Sequence, residues 1–555
     1  MAQIMTPYLI TTLIALSFSL SHAQAESTGL SLNQAQSQFP TIYLPSVGSV
    51  NRNRFKLPDE APNAPKLRVE AFEFTGVKSI NVEQLQNAFA PYESRSFTPQ
   101  QLLEMTDLVV DTYRSHDIAA VARIPPQDPK RGTILFEIHE SNFAGVVIDH
   151  GFEETFNVSL ERVEALAGLP LSENGPLILS ERERQQLLTI DMHGISVSGG
   201  LQANDDGDQE LELWVENSAR VSGTLDINNA GLSETGEEQL VLTSMLYSPF
   251  KQGGAGYLNA IKSDKSNYLS LSHRGPIGYR GTAFDVQAAI LYANSGSIKQ
   301  QATSLSAGIR HTLIRSLGSN LFISGIFEQR SLKETLSPYL SPQLNSDYKV
   351  DTLKVTLDGN RAFQRDRLTY RLETTLGETN LDHSPNRAND LANANTQGRF
   401  NTLSGFLKYR KPLKNRWQIQ TELYGQFSSK NLDDSQRLIA GGSQALRAFT
   451  KSELTVDQGA IVRIDLVKQL NDHWRVGGFA DWASVSKRVN NLTASGATLE
   501  PSNHISAYDW GLIANYQIND SFRLDFSLAQ ALSSSNTLDT EQGDTQALLN
   551  LSWAL

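Results

Sequence analysis

One short segment of the sequence combines residues that could do chemistry. The segment from Arg437 to Ala460, RLIAGGSQALRAFTKSELTVDQGA, contains a serine after two glycines, a lone arginine and a closing Asp-x-Gly. The run from Gly441 to Ala445 is one residue short of Gly-x-Ser-x-Gly, the nucleophile elbow of hydrolases. That elbow requires a helix directly after the serine, whereas turn residues and then an alternating pattern follow Ser443. We therefore do not expect a serine nucleophile here.

Other side chains that often carry chemistry are absent or scattered. The 555 residues include no cysteine, which excludes disulfides, thiolate metal sites and cysteine nucleophiles. The ten histidines form no His-Glu-x-x-His or other close pair. His116, His139, His150 and His193 are expected at the surface or in turns. A formal net charge of −12 argues against nucleic acid as a partner, because phosphate binding requires a basic surface. We therefore expect no enzyme, no metal and no cofactor.

The chain begins with an export signal. YLITTLIALSFSL is apolar and uncharged, and Ala23-Gln24-Ala25 supplies a small-x-small cleavage site. Residues 1–25 are therefore predicted to be a signal peptide. No other run of about twenty apolar residues exists, so no membrane helix is predicted. Residues 26–66 contain a short helical run and then a proline-punctuated linker.

Two small α+β modules of one topology are predicted in tandem over residues 67–217. In the first, LRVEAFEFTG alternates as a strand, two helices follow, and IAAVARI and GTILFEIHE are two more strands. Thr98 and Gln101 are predicted to form a capping box on the second helix. From FAGVVIDHG the strand-helix-helix-strand-strand order repeats, with Ser180 and Glu183 as a further capping box. Sheet edges in such modules are available to a partner strand.

Beyond Arg220 the helical period gives way to alternation with a period of two. WQIQTELYGQF places Trp417, Ile419, Leu423 and Phe427 on one side and Gln and Glu residues on the other. SFRLDFSL, RLTYRLETTL and IVRIDL behave in the same way. Strands of about 10 to 15 residues with charges on one face are long for a soluble sandwich and suit tilted spans of the outer membrane.

The connections between these strands alternate in length. LGSN, PLKN, LND and IND are tight turns, whereas long polar loops are predicted at residues 331–349, 378–400, 431–454, 490–504 and 534–544. Short turns on one rim and long loops on the other are typical of a transmembrane β-barrel. Sixteen candidate strands follow residue 219. Closing the sheet would leave no unpaired strand edge in lipid.

This combination resembles the two-partner secretion transporters, the haemolysin-secretion and filamentous-haemagglutinin transporter family. The resemblance covers essentially the whole mature chain. It implies a mainly β fold: a 16-stranded transmembrane antiparallel β-barrel preceded by two periplasmic α+β POTRA domains of β-α-α-β-β topology. The implied ranges are 26–66 for an N-terminal plug helix and linker, 67–141 and 142–218 for the two POTRA domains, and 219–555 for the barrel.

The segment from Arg437 to Ala460 is the first of three motifs that carry the resemblance. It is similar to the family's Gly-Gly…Val-Arg-Gly-Tyr motif in the sixth surface loop, between the eleventh and twelfth strands. The matching positions are Gly441, Gly442, Leu446, Arg447, Ala448, Phe449, Asp457 and Gly459. In the family this loop folds back into the lumen, and its arginine contacts an aspartate in the thirteenth strand.

The second motif supplies that aspartate. GFADWASV is similar to the family's Phe-x-Asp-x-Gly, with Phe479 and Asp481 matching. The resemblance therefore implies that Arg447 binds Asp481 in the barrel wall through a planar, two-pronged contact that lysine cannot copy.

The third motif lies at the first barrel hairpin. NNAGLSETG resembles the family's Asp-Asn-Ser-Gly…Thr-Gly run, and the matching residues are Asn229, Gly231, Thr235 and Gly236. Across the three motifs there are three departures: Ala448 and Ala483 replace glycines, and Asn228 replaces the acid. The two alanines are expected to alter how closely the loop packs on the wall, and they leave the charged pair in place.

The resemblance implies export of a large β-helical exoprotein, such as an adhesin, a cytolysin or a contact-inhibition toxin, across the outer membrane of a Gram-negative bacterium. Its partners would be that exoprotein and outer-membrane lipid, with no nucleic acid. Two other functions stay open on the sequence. A barrel-assembly factor shares this architecture, typically with more POTRA domains, and a passive porin has the barrel without tandem periplasmic modules.

Overall fold

The computed structural model describes residues 66–555 except 129–130, 152–154, 170–174, 232–235, 295–297, 337–341, 451–452 and 534–537. The predicted signal peptide, and all but the last residue of the predicted plug and linker, lie outside the described residues. Over the described ranges the chain forms two small α+β modules followed by a closed β-barrel.

The first module packs two helices on a three-stranded sheet in the order β2-β5-β4, with β2 and β5 parallel. Alternation does not predict one further pair of short strands, β1 with β3. Four phenylalanine rings, those of Phe72, Phe74, Phe89 and Phe136, meet in the core between helices and sheet. The elements are β1 (Leu67–Val69), β2 (Ala71–Thr75), α1 (Val82–Phe89), β3 (Arg95–Phe97), α2 (Pro99–Ser115), β4 (Ala120–Arg123) and β5 (Thr133–Glu140).

Helix α2 begins where its sequence predicts. The Thr98 hydroxyl accepts a hydrogen bond from the Gln101 N–H, and the Gln101 side chain accepts one from the Thr98 N–H. This reciprocal capping box satisfies donors that an isolated helix end would leave unpaired. The buried residues Leu102, Met105 and Val109 follow at helical spacing. The local sequence alone is therefore sufficient to define this helix.

The second module repeats the strand-helix-helix-strand-strand order, with a sheet ordered β6-β8-β7 and a core of its own. Strands β6 and β8 are parallel, and β7 and β8 form a hairpin. The elements are β6 (Phe143–Asp149), α3 (Leu160–Ala167), α4 (Leu179–Ile190), β7 (Ile195–Ala203) and β8 (Gln209–Asn217).

The capping box predicted for α4 is wrong. The helix starts at Leu179, and Ile178 at its N-cap provides no side-chain hydrogen bond. Ser180 instead donates from its N–H and its hydroxyl to the Asp117 carboxylate of the first module. Glu183 accepts from the Leu317 N–H in a barrel turn, at 3.1 Å. Ser180 and Glu183 therefore bond to partners distant in sequence and do not cap the helix.

The barrel is closed by sixteen antiparallel strands among the described residues, the last pairing with the first. They are β9 (Val221–Asn228), β10 (Gln239–Tyr247), β11 (Ala255–Lys262), β12 (Ser266–Ile277), β13 (Thr282–Asn294), β14 (Ile298–Arg315), β15 (Ser319–Leu336), β16 (Ser346–Phe363), β17 (Asp366–Asn380), β18 (Gly398–Pro412), β19 (Trp417–Ser428), β22 (Gln458–Gln469), β23 (Trp474–Ser486), β24 (His504–Gln517), β25 (Phe522–Ser533) and β26 (Thr545–Ala554). Between β19 and β22 lies a two-residue pair, β20 (Leu438–Ile439) with β21 (Thr455–Val456).

The two faces of the barrel wall differ in chemistry. On β24, Tyr508, Trp510 and Leu512 are exposed on the outside, while Asp509 between them is buried on the inside. The same alternation runs along the other long strands, where leucine, isoleucine and phenylalanine dominate the exposed set. An apolar outer band with a polar interior is the pattern of a barrel surrounded by lipid.

Several long strands extend further than predicted. Residues 331–349 were expected to form a loop, but β15 continues to Leu336 and β16 begins at Ser346. Lys333 and Asp347 face each other across this extension, 3.6 Å apart. Backbone pairing and cross-strand pairs of polar side chains therefore continue outside the apolar band. The loop between β17 and β18 carries the short helix α5 (Arg387–Ala392). None of the helices in the described ranges has the length and apolarity that a membrane span requires.

The second module is attached to the short-turn rim of the barrel through three hairpin turns. Two arginines donate to backbone carbonyls: Arg162 to Gln252 and Gly278, and Arg184 to Arg280 and Thr312. The Arg315 guanidinium adds a two-pronged contact with the Asp191 carboxylate, at 2.7 and 2.8 Å. The second module therefore lies at the rim opposite the long loops.

Candidate functional site

The candidate site is built around loop six, defined here as residues 429–457 between the eleventh and twelfth barrel strands, β19 and β22. Strands β20 and β21 form its neck, and a tight turn beyond them carries Gly441 and Gly442. A Cβ on Gly441 would lie 2.1 Å from the Thr450 carbonyl oxygen, and Gly442 has a φ of +92°. Both positions favour glycine, and the Gly442 N–H donates to the Phe449 carbonyl at 2.7 Å.

This turn places Arg447 against the inner wall of the barrel. Its Nε and Nη2 donate to the two carboxylate oxygens of Asp481 on β23, each at 2.8 Å. Nη2 also donates to Asp465 on β22, at 2.6 Å. The guanidinium lies over the Phe479 ring, 3.5 Å from its centroid. Arg447 and Asp481 are 5% and 3% exposed, so water scarcely screens the pair.

A second arginine, which lies on the barrel wall, binds the tip of the loop. Arg463 on β22 lies opposite Asp481 in the register and donates to the backbone carbonyls of Ser443 and Gln444, at 3.3 and 3.1 Å. It also donates to Glu422 on β19 at 3.1 Å, and Lys408 is 3.0 Å from the same carboxylate. Loop six is thus bound through its backbone as well as through Arg447.

A fourth acidic residue, Asp509, also contacts loop six. The Ala448 N–H donates to the Asp509 carboxylate at 2.9 Å, and Asp509 lies directly opposite Asp481 on the neighbouring strand. Two buried carboxylates in this arrangement repel each other unless cations or protons intervene. Arg447 and Arg463 supply that compensation on the Asp481 side.

Apolar packing surrounds the charged groups. Leu446 and Phe449 are fully buried in one cluster with residues of β22, β23 and β24. The two alanines that depart from the family pattern, Ala448 and Ala483, belong to the same cluster. Their methyl groups therefore add contact between loop and wall, and the Arg447–Asp481 pair is present beside them.

The closing Asp-x-Gly lies at the base of loop six. Asp457 is fully buried and accepts hydrogen bonds from the backbone N–H groups of Leu432 and Val489. Arg437 and Arg488 approach the same carboxylate at 3.1 and 3.8 Å. Gly459 is the second residue of β22 and pairs with both neighbouring strands. These residues join loop six to the next long loop.

The structure places the first-hairpin motif away from loop six, at the junction of the first and last strands. The Asn229 side chain accepts from the Leu549 N–H at 2.8 Å and donates to the Ala547 carbonyl at 2.9 Å. It thereby extends a junction whose backbone register covers five residue pairs. The Gly231 N–H donates to the Glu237 carbonyl, Gly236 has a φ of +100°, and Thr235 lies outside the described residues.

Several residues of the site are not contained in the three motifs. Asp465, Arg463, Glu422 and Asp509 all point inward from wall strands. The sequence holds a signal for two of them, because Arg463 and Asp465 are alternate residues of IVRIDL and must share one face of a strand. The contacts of these residues with loop six depend on how the loop folds, which alternation does not specify.

The described part of the chain contains no group of three or more His, Asp or Glu side chains arranged to hold a metal ion. His139 contacts Asp208 at 2.9 Å, between the two modules. Hydrogen bonds from the Asn142 backbone and from His139 lower the pKa of Asp208.

A closed sixteen-stranded barrel with an apolar outer band, an α+β module on its short-turn rim and a loop bound inside defines an outer-membrane protein, with an architecture that secretion transporters and barrel-assembly factors share. The family model for the haemolysin secretion/activation protein ShlB/FhaC/HecB matches residues 207–500, more than half of the chain. The chain belongs to this family, and it is a two-partner secretion transporter of the outer membrane with its N-terminal modules in the periplasm.

Similar proteins agree with this assignment. The heme/hemopexin transporter protein HuxB of Haemophilus influenzae is 21% identical over 399 residues, which cover 70% of this chain and 69% of HuxB. The outer membrane transporter CdiB of Dickeya dadantii is 22% identical over 430 residues, covering 74% and 73%. The solved structure of CdiB from Escherichia coli shares the fold with a TM-score of 0.68 at 17% identity, covering 96% of this chain and 98% of that one.

Proposed function

We propose that this transporter captures one large exoprotein in the periplasm, threads it through the barrel lumen and releases it at the cell surface, and that loop six must leave its site during passage. The observation that carries the proposal is the noncovalent binding of loop six inside the closed barrel. Arg447 and the carboxylates of Asp465 and Asp481 form a largely buried charged contact that holds the loop in the resting state.

The relatives suggest the kind of cargo. HuxB is named a heme/hemopexin transporter, and CdiB is named an outer membrane transporter. We propose that the cargo of this chain is a large β-helical exoprotein, an adhesin, a cytolysin or a contact-inhibition toxin. Its folding outside the cell would supply the directional free energy, so neither nucleotide hydrolysis nor any catalytic residue is required.

The modules offer sheet edges for capture. Strands β2 and β4 lie at the edges of the first sheet, and β6 and β7 at the edges of the second. An extended segment of the exoprotein can add to such an edge through backbone hydrogen bonds. We propose the domain ranges 67–141 and 142–218 for two POTRA domains and 219–555 for the barrel, supported by the separate cores of the modules. Residues 26–66 would be the plug helix and linker.

A cysteine trap tests passage through the lumen, since the chain has no cysteine of its own. Gln287 on β13 points inward and donates to Ser270, whereas the adjacent Val286 is exposed on the outer face. A Gln287→Cys variant is expected to form a disulfide with a cysteine placed in a stalled exoprotein, and Val286→Cys is not. Equal trapping at both positions, or trapping at neither, would reject the route.

Removal of residues 67–217 separates the transporter from a passive porin. The truncated protein is expected to insert and conduct ions, and to lose export of the exoprotein. Unchanged export by the truncated protein would show that the modules are not needed for capture.

A further inference from the structure

Loop six is also held at a second place in the lumen, far from Arg447. Arg330 on β15 donates from Nη1 to the Ser435 backbone carbonyl at 2.6 Å. The Tyr348 hydroxyl on β16 donates to the Asp433 carboxylate, also at 2.6 Å. Both acceptors belong to the stem of loop six, defined here as residues 431–437, which precedes the tip at 441–449.

The wall residues of this second contact are themselves fixed. Glu328 accepts from Arg330 Nε at 2.6 Å and Nη2 at 3.1 Å, from Lys354 at 2.9 Å and from Ser304 at 2.8 Å. Glu328 and Arg330 are 1% and 2% exposed. With Nε and Nη2 directed at Glu328, the planar guanidinium must present Nη1 toward the stem. Two of the three guanidinium nitrogens of Arg330 are therefore held by the wall itself.

The two contacts lie on widely separated parts of the wall. Three strands, β17, β18 and β19, separate the pair β15–β16 from β22–β24, which hold the tip, on the shorter path round the barrel. Ser435 in the stem and Arg447 in the tip are only twelve positions apart in the chain. Loop six therefore extends across the lumen between two attachment points.

The stem contact depends on groups that the loop motif does not contain. One acceptor is a backbone carbonyl and the other is Asp433, and Asp433 also accepts a hydrogen bond from the Ser435 N–H within the stem. No residue of the stem contact takes part in the hydrogen bonds of Arg447. The stem can consequently stay attached when the tip is released.

From these observations we propose that Arg330 and Tyr348 are positioning residues that form an independent stem anchor for loop six. Besides the contacts at its base and the hydrogen bond from Gln426 on β19 to the Gln436 carbonyl, loop six is held by two anchors that can open separately: the stem anchor on β15–β16 and the tip anchor around Arg447 on β22–β24. Only the consequence of this proposal rests on the proposed function. That consequence is that a loop released at its tip stays attached through its stem and remains in the lumen.

Two single-cysteine reporters distinguish the anchors in the purified full-length protein in detergent, without any exoprotein. Gln436→Cys, at a half-buried position, reports on the stem, and Ala445→Cys, at a buried position, reports on the tip. The rate of modification by a small methanethiosulfonate reagent measures how often each site opens. The perturbing changes are Tyr348→Phe, which removes only a hydroxyl, Arg330→Gln, and Arg447→Ala for comparison.

We expect Tyr348→Phe to raise the Gln436→Cys rate by roughly 2- to 10-fold, the effect of one lost hydrogen bond, and to leave the Ala445→Cys rate unchanged. Arg330→Gln should act in the same direction. Arg447→Ala should accelerate the tip reporter and not the stem reporter. Each variant is first checked for the heat-sensitive migration of a folded barrel in gel electrophoresis.

Two outcomes would overturn the proposal. One is an unchanged stem rate in both Tyr348→Phe and Arg330→Gln. The other is parallel acceleration of stem and tip by every change, because that would show a single cooperative attachment. The reporter rates are measured without exoprotein and test the anchors alone. If the two reporters respond separately but the cysteine trap or the truncation contradicts the proposed function, the stem anchor still stands.

Discussion

Arg447 and Asp481, 34 positions apart in the chain, meet inside the barrel through two hydrogen bonds of 2.8 Å each. Removing one partner of a buried ion pair costs about 3–5 kcal/mol, because the other charge is left buried without compensation. We expect Arg447→Ala to reduce export of the exoprotein by about tenfold or more while the barrel still inserts. Arg447→Lys should retain part of the activity, since lysine keeps the charge and loses the two-pronged geometry.

The measurement is the amount of exoprotein at the cell surface, with heat-sensitive gel migration as the test of folding. Arg399 provides a matched control, because its side chain is 90% exposed and lies 3.7 Å from Glu378. Exposed pairs of this kind contribute about 0–1 kcal/mol, so Arg399→Ala should export normally. Normal export by Arg447→Ala would show that the pair is not needed.

Replacement of Asp509 by asparagine is expected to cost less stability than replacement by alanine. An asparagine side chain can still accept the hydrogen bond from the Ala448 N–H, and it removes the repulsion between two facing carboxylates. Asp509→Asn should unfold at the same or a higher temperature than the parent protein. Asp509→Ala should be less stable by about 1–3 kcal/mol, because the buried Ala448 N–H loses its acceptor. Gel-shift unfolding curves compare the two, and equal losses would contradict the explanation.

Asn229 is expected to stabilise the junction between β9 and β26. Its side chain bonds to one backbone donor and one backbone acceptor of the last strand, beyond the end of the ladder. Asn229→Ala should lower the unfolding temperature of the barrel through the loss of two hydrogen bonds, at about 0.5–1.5 kcal/mol each. Asn229→Asp keeps the acceptor for Leu549 and loses the donor to Ala547, so an intermediate effect is expected. If Asn229→Ala unfolds at the parental temperature, the contact does not stabilise the junction.

Glu140 gives the first module a predicted dependence on pH. Burial raises the pKa of Glu140, but hydrogen bonds from Ser79, Lys78 and Tyr113 outweigh it, so the pKa in the folded protein is lowered. A lowered pKa means that the contribution to stability is present above the ordinary carboxyl pKa and is lost as the pH falls through the lowered value.

Glu140→Gln should therefore destabilise the module near neutral pH and have a diminishing effect in acid. Four of the five α-helices in the described ranges lie in the two modules, so far-ultraviolet helical ellipticity follows their unfolding. A difference between variant and parent that is the same at every pH would contradict this account. Glu104, which bonds only to a neighbouring helical glutamine among the described contacts, is the control position.

The parts of the fold that the sequence predicts are those fixed by local pattern. Inward and outward residues alternate on β24 and β25 because a barrel wall separates lipid from lumen, and that requirement is visible in every strand. The Thr98–Gln101 capping box is likewise local. Sixteen strands and the short-turn rim follow from these patterns without knowledge of any long-range contact.

The sequence does not predict contacts that depend on tertiary placement. Ser180 and Glu183 have the spacing of a capping box, but Asp117 and Leu317 lie closer in the folded protein and take their hydrogen bonds. Asp509 is another case, because nothing in its strand indicates that a loop amide will approach it. The resemblance to a family pairs Arg447 with Asp481 but contains no information about Arg330.

The attachment of the second module to the barrel has a consequence for how such a protein can evolve. Arg162 and Arg184 bind main-chain oxygens of the hairpin turns, and every residue type has such an oxygen. Mutations in those turns can therefore accumulate while the attachment persists, provided the turn keeps its shape. The turns at the periplasmic entrance of the barrel, where a new exoprotein first meets the membrane, can therefore change in sequence while the second module stays attached to the barrel.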